Sequence, residues 1–255
     1  YKKFVKGDFS EVIKECNKVL KRRKHQLFFN LLSIAYQKSG KIEKSINVMK
    51  EALDLNPNHP NFLNNIGISF YKLHKYLEAE KYFKKGLEID NEHLHILNNL
   101  GNLKRETYKI EESIKYYKKV LSIQSDAVPS LFNLVGIYRI TNQKIDSKYY
   151  CKKILELNKR LTDADRQYSM VHEYTENDPH LIEMLKKVND NYLNNFEKIH
   201  VYYGIHKAYE DIKDYKNAFK YLKIGNDLLK EETKYNFDQD EKRINNFINL
   251  YKKNK

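Results

Sequence analysis

Side chains able to pair with a peptide amide recur in this chain at a nearly fixed interval. Asn30, Asn64, Asn98 and Asn133 follow one another at steps of 34, 34 and 35 residues, and Asn65, Asn99 and Asn102 widen the row. A carboxamide carries one donor group and one acceptor, so it matches a backbone amide in both senses. A line of such groups could hold an extended polypeptide by its backbone, with little regard to sequence. His95 and Arg105 lie in the same stretches and could add preference. Asparagine is also frequent in turns such as Asn56, Asn58 and Asn91, so composition alone could supply a similar row.

Other chemistry finds fewer candidates. His93 and His95 have only Glu92 beside them, and His200 and His206 are spaced to point to opposite sides of one helix. A zinc site usually needs three or four ligands at coordinating spacing, so no metal site is expected. The two nearest glycines, Gly86 and Gly101, are fifteen residues apart, which excludes a phosphate-cradling glycine loop. Cys16 and Cys151 fall on packing faces, and no Ser/His/Asp or Cys/His set can be assembled. No catalytic residue and no cofactor are expected of this chain.

The elements that must position the asparagines show in a second periodicity. Val12/Cys16, Ser45/Met49, Ala79/Phe83, Ser113/Tyr117 and Ser147/Cys151 each place a small or slim residue four before a bulkier one, at steps of 33, 34, 34 and 34 residues. Upstream, Leu63, Ile66, Gly67 and Phe70 occupy one helical face, as do Phe29, Leu32, Ser33 and Tyr36 one unit earlier. Leu97, Leu100 and Gly101 repeat the pattern, then Phe132, Val135 and Gly136. The small residue permits close approach of the two helices of a hairpin. Lys104 and Arg139 replace the aromatic expected at the last slot. Pro57 marks a turn after a helix, and Pro129 opens one. Each asparagine of the row follows the first packing residue by one, about 100° round the helix.

This pattern resembles the tetratricopeptide repeat family. The resemblance implies an all-α solenoid of helical hairpins, wound as a right-handed superhelix, with the asparagine row on its concave side. Repeats are expected over 1–160, at 1–25 (truncated, its first helix only Tyr1–Lys6), 26–59, 60–93, 94–128 and 129–160. Irregular short helices then occupy 161–191, near 164–174 and 179–188, with Asp163 and Asp178 as their N-caps. A repeat-like hairpin and a closing helix fill 192–255. The run Leu97-Asn98-Asn99-Leu100-Gly101-Asn102 resembles repeats of O-linked N-acetylglucosamine transferase, which implies a peptide-binding ladder.

A narrower resemblance lies in Ile199–Gly204, Lys207–Asp211, Asp214–Phe219 and Gly225-Asn226. It is similar to the last helical hairpin of bacterial proteins in which tetratricopeptide repeats precede a sulfotransferase domain. The half-repeat at the start and the stop at Lys255 read as a piece of a longer protein. The resemblance implies a recognition region whose catalytic domain lies outside this chain, and 3′-phosphoadenylyl sulfate as a cofactor only of that domain. A free-standing adaptor remains the alternative.

Composition sets the remaining bounds. The chain has 255 residues, 41% of them hydrophobic and 32% charged, without an apolar run long enough to span a bilayer. Two reduced, buried cysteines suit a cytoplasmic protein. The net charge of +13 keeps a third reading open, a basic solenoid that binds nucleic acid or another polyanion. The main expectation is a polypeptide partner in the concave groove.

Overall fold

The structure is a computed structural model that describes residues 7–253; the expected short first helix at Tyr1–Lys6 lies outside them. Helices supply all the regular structure of the described residues: α1 (Phe9–Arg22), α2 (Gln26–Lys38), α3 (Ile42–Leu55), α4 (Pro60–Lys72), α5 (Tyr76–Ile89), α6 (Leu94–Glu106), α7 (Ile110–Ile123), α8 (Val128–Ile140), α9 (Lys144–Leu157), α10 (Thr162–Ser169), α11 (Pro179–Lys187), α12 (Asn195–Asp211), α13 (Tyr215–Thr233) and α14 (Phe237–Lys253). The chain divides into two compact units, residues 1–133 and 134–255, with the boundary inside α8.

In the first unit, hairpins form because every small-plus-bulky pair is buried. Ser45, Met49, Ala79, Phe83, Ser113 and Tyr117 are each at most 1% exposed. The first helices α2, α4 and α6 also touch one another in turn, which sets their outer faces side by side. Val12, Cys16 and Leu20 of α1 join Phe29, Leu32, Met49 and Phe62 in one core, so burial is continuous along the stack. Such a core grows by addition of neighbours rather than around a centre.

The small slot is filled differently in each unit. A Cβ on Gly101 would sit 2.5 Å from Cε1 of the buried Tyr117 ring, and one on Gly67 would sit 2.5 Å from Cε1 of Phe83. Ser33 fits the slot by a 2.7 Å hydrogen bond to Ser45 Oγ. At Gly136 an added Cβ meets nothing within 4 Å, because the bulky partner has shrunk to Cys151. Gly101→Ala should therefore cost about 1–3 kcal/mol by overpacking. Gly136→Ala should gain up to about 1 kcal/mol from helix propensity. Urea unfolding of the two variants checks the opposite signs.

The turn inside each hairpin needs one left-handed residue. Gly40, His74, Tyr108 and Asn142 hold φ of 73°, 57°, 58° and 57° at a spacing of 34 residues. Lys213 holds φ 65° between α12 and α13, which marks that pair as a hairpin of the same build. Only glycine and, less readily, asparagine adopt this conformation without a steric cost. Tyr108 is 90% exposed, so Tyr108→Gly should raise stability by about 0.5–1 kcal/mol despite glycine's larger chain entropy. Thermal melting with Gly40→Ala as the opposite control tests this.

Lys104 stands where an aromatic was expected, and is 3% exposed. Its stem fills the slot while Nζ reaches Glu80 at 3.0 Å and Glu112 at 2.8 Å. Burial would raise the Glu80 carboxyl, but hydrogen bonds from Lys84 and Lys104 outweigh it and hold it below its usual range. The charge is paid for locally, so the repeat tolerates the substitution.

The second unit packs α10 against α9 and α12, and α12 against α11 and α13. Its core joins Leu181 and Met184 of α11 to Val201, Ile205 and Ala208 of α12. Asp178 caps α11 by accepting from His180 N at 2.8 Å, with Pro179 in the first turn. Asp163 does not cap α10. The helix runs from Thr162 to Ser169, starting two residues earlier than expected, so Leu161 holds the cap position and Asp163 Oδ1 accepts from Gln167 Nε2 at 3.4 Å inside the helix. No described helix is long and apolar enough to cross a membrane.

Candidate functional site

The asparagines come together in the first unit, where successive first helices bring their carboxamides within bonding range. Asn65 Nδ2 donates to Asn30 Oδ1 at 2.9 Å, and Asn99 Nδ2 donates to Asn64 Oδ1 at 2.9 Å. Asn133 Nδ2 donates to Asn98 Oδ1 at 3.5 Å and to Asn102 Oδ1 at 3.3 Å. Asn102 Oδ1 also accepts from the Tyr117 hydroxyl at 2.7 Å, and Asn98 Oδ1 from Ser130 Oγ at 3.1 Å. The row is cross-linked from helix to helix, which a set of independent solvent-facing side chains would not be.

These bonds sort the unused functions. Asn30 and Asn98 spend their oxygens and keep their NH2 groups for other partners, whereas Asn65 and Asn99 spend their NH2 groups and keep their oxygens. The result is a line of donors beside a line of acceptors, each with its amide plane held by a neighbour. Asn30, Asn65, Asn98 and Asn99 are half-buried, so these atoms are reachable. Asn64 is only 7% exposed, so its role is to bond its neighbour. Arg105 is likewise committed, with Nη1 donating to Asn133 Oδ1 at 2.9 Å. His95 is exposed, with its ring 6.0 Å from that of His93.

A second row runs beside the first. His25, His59 and His93 recur at 34-residue steps at the N-caps of α2, α4 and α6. His59 Nε2 bonds Gln26 Oε1 at 3.1 Å and His93 Nε2 bonds Asn61 Oδ1 at 2.9 Å, so each ring ties its repeat to the one before. Donation to an amide oxygen sets the Nε2–H tautomer. His93 Nδ1 then accepts from Ile96 N at 3.3 Å. Burial pushes both the His59 and His93 imidazoles below their ordinary value. A base lowered on folding binds its proton more readily in the unfolded chain, so stability is full above about pH 6.5 and falls as pH drops through that value. The urea midpoint should therefore decline from pH 7 to pH 5. The double variant His59→Gln, His93→Gln should flatten that slope.

The second unit holds a polar cluster that no spacing announced. Asp165 is 0% exposed and accepts from Lys187 Nζ at 2.8 and 2.9 Å and from His180 Nε2 at 3.0 Å. His180 Nδ1 lies 2.7 Å from the Tyr174 hydroxyl, which lies 2.7 Å from Ser169 Oγ. Beside it, His172 bridges Lys148 Nζ at 2.7 Å and Asp178 Oδ2 at 2.7 Å. Burial would raise Asp178, but the bonds from His172 and the His180 backbone N–H hold it below the usual carboxylate range. Lys148, Tyr168, His172 and His180 line a cavity of about 520 Å³.

The chemistry of this cluster is that of a structural network. Ser169 is 1% exposed with its hydroxyl donating to Asp165 O at 2.9 Å, which leaves no attacking oxygen beside a base. Burial also pushes Tyr174 upward and Cys151 to about 12, so neither is ready to ionise near neutrality. Both cysteines are free and buried. Among the described residues, no group of three or more His, Cys, Asp and Glu side chains could hold a metal ion. His200 and His206 both line one groove, whose other walls come from α10 and α13.

Comparison with known proteins agrees with this hairpin build. The TPR repeat family matches residues 35–74, and tetratricopeptide repeat families match residues 60–93 and 93–127. No curated protein sequence matches the chain. Among solved structures, one reported as the functional characterization of Pseudomonas aeruginosa pilF superposes with a TM-score of 0.60 at 18% identity, over 85% of this chain and 96% of that one. A tetratricopeptide repeat protein from Parabacteroides merdae gives 0.57 at 14% identity, over 95% and 93%. YrrB, described as a TPR protein with an unusual peptide-binding site, gives 0.54 at 17% identity, over 71% and 91%. With the 34-residue hairpins, the buried small-plus-bulky pairs and the three family matches, residues 35–127 of this chain are tetratricopeptide repeats.

Proposed function

We propose that the chain is a polypeptide-binding scaffold and that the first unit reads the backbone of an extended segment along the asparagine row. The observation that carries this reading is the division of labour between carboxamides: Asn30 and Asn98 present donors, and Asn65 and Asn99 present acceptors. An extended peptide offers carbonyl oxygens and N–H groups in alternation, so both lines find partners. The peptide-binding site named for YrrB belongs to the same fold and favours the same class of ligand. Following the hairpin resemblance at Ile199–Asn226, we assign the scaffold to the recognition of substrates for a sulfotransferase domain carried outside this chain. Linkage to such a domain is not needed for the binding itself, so a free-standing adaptor would use the same row.

The test is fluorescence anisotropy with a library of labelled, extended, near-neutral peptides. Wild type is compared with the double variant Asn30→Asp, Asn98→Asp, which keeps the oxygens that accept from Asn65 and Asn133 but removes the presented donors. Sequence-tolerant binding lost in the variant, at unchanged helicity, supports the reading. Equal binding by both proteins sinks it.

A further inference from the structure

We propose that the second unit carries a separate site for a short acidic peptide segment with one bulky apolar side chain, in the groove between α10, α12 and α13. This site does not depend on the asparagine row. Its cavity is about 510 Å³, within the range of pockets that hold small ligands or anchoring side chains. The floor and walls are apolar and open to solvent: Met170 is 49% exposed and Phe196 52% exposed, and Ile199 and Leu229 complete the lining. An apolar wall left this exposed on a folded chain is a place where burial is still to be gained.

Charge specifies the partner. The lining includes Arg166, His200, His206 and Lys207, and it includes no aspartate or glutamate. Lys207 is neutralised along its own helix by Asp211, and His206 Nδ1 lies 3.1 Å from the Ala218 carbonyl. The two arginines differ. Arg166 lies over the Tyr203 ring, with its guanidinium carbon 5.0 Å from the centroid. Arg139 stands outside the lining itself and reaches it through Met170, with Nη1 3.2 Å from the Met170 sulfur. Among the described residues neither guanidinium meets a carboxylate. Each rests on a soft, uncharged neighbour that fixes its direction and leaves its forked donors to receive an anion in two-point geometry.

Two oriented guanidiniums beside one apolar wall fit carboxylates that flank a single anchor. A nucleic-acid strand would instead need several exposed ring faces to stack successive bases, and Phe196 is a single open ring in this lining. Here the Tyr203 face is covered by Arg166, and its hydroxyl donates to Asn226 Oδ1 at 2.9 Å. Arg139 sits in the slot where the repeat pattern calls for an aromatic, so a residue that is anomalous as packing gains a reason as a ligand group.

Isothermal titration with three blocked pentapeptides tests the assignment: one with aspartates flanking a phenylalanine, one with those aspartates replaced by asparagines, and one with the phenylalanine replaced by alanine. The first should bind, and each of the others should bind at least ten-fold more weakly. Arg139→Gln with Arg166→Gln should cause a similar loss for the first peptide, and Phe196→Ala should do so through the apolar wall alone. The asparagine-row variant Asn30→Asp, Asn98→Asp should leave this binding unchanged, which separates failure here from failure of the backbone-reading function. Equal affinity for the three peptides overturns the proposal. So does full binding by the Phe196→Ala protein, or displacement of the acidic peptide by a neutral oligopeptide or a single-stranded oligonucleotide of equal concentration.

Discussion

Replacing Asp165 by alanine should lower the stability of the second unit by about 3–5 kcal/mol, the range expected when one member of a buried ion pair is removed. Asp165 is fully buried, and three donated hydrogen bonds from Lys187 and His180 end on its oxygens. Without the carboxylate, the Lys187 ammonium is left 14% exposed, with Glu183 at 3.9 Å as its remaining charge partner. The loss should therefore come mainly from a stranded cation, not from the missing side-chain volume. That distinction can be measured. Asp165→Ala with Lys187→Met should be less destabilised than Asp165→Ala alone, because the second change removes the stranded charge. Urea denaturation of wild type, both single variants and the double gives the coupling directly. If the double variant is as unstable as the sum of the singles, the pair is not the source of the cost. A domain of this size has about 5–15 kcal/mol in all, so the single change should bring the unit close to unfolding at physiological temperature.

The second large effect is on binding. Asn30→Asp with Asn98→Asp should reduce affinity for extended neutral peptides by about a hundred-fold. Each presented NH2 group is replaced by an oxygen that cannot donate. Losing one hydrogen bond, with the peptide carbonyl left facing an unmatched group, costs about 1–2 kcal/mol at each position. Two positions together reach roughly 3 kcal/mol, and each 1.4 kcal/mol is ten-fold in affinity. The internal bonds should survive, because a carboxylate oxygen accepts from Asn65 and Asn133 at least as well as a carboxamide oxygen does. Helicity and melting temperature should stay near those of wild type. Substitution at Asn64 would be a poorer probe: it is 7% exposed and holds Asn99, so its loss would mix folding with binding.

The hairpin stack was legible because it rests on side-chain size at fixed intervals. Ala79 before Phe83 and Ser113 before Tyr117 announce the interlocking helices before any coordinates, since only a small residue admits the facing ring. The same spacing announced the asparagine row, and the histidines at 25, 59 and 93 offered an equally regular signal. Local periodicity determines which residues share a helix face, and a repeat propagates that choice.

Three-dimensional contact decided what spacing could not. Whether Asn30 and Asn65 face a ligand or each other depends on the distance between successive first helices, and it placed their carboxamides 2.9 Å apart. Lys104 in an aromatic slot reads as degeneracy until Glu80 of the preceding helix and Glu112 across the hairpin appear beside it. Asp165, His180 and Lys187 come from an irregular stretch without a repeat to compare, so their convergence left no trace in the sequence. Arg139 of α8 and Arg166 of α10 have all of α9 between them in the chain, and only the fold brings Arg139 against Met170, a residue that lines the same groove as Arg166. Periodicity is a property of neighbours along the chain and specifies the helices and their stacking. The bonding of polar groups is a property of neighbours in space, and only the folded chain sets which donor meets which acceptor.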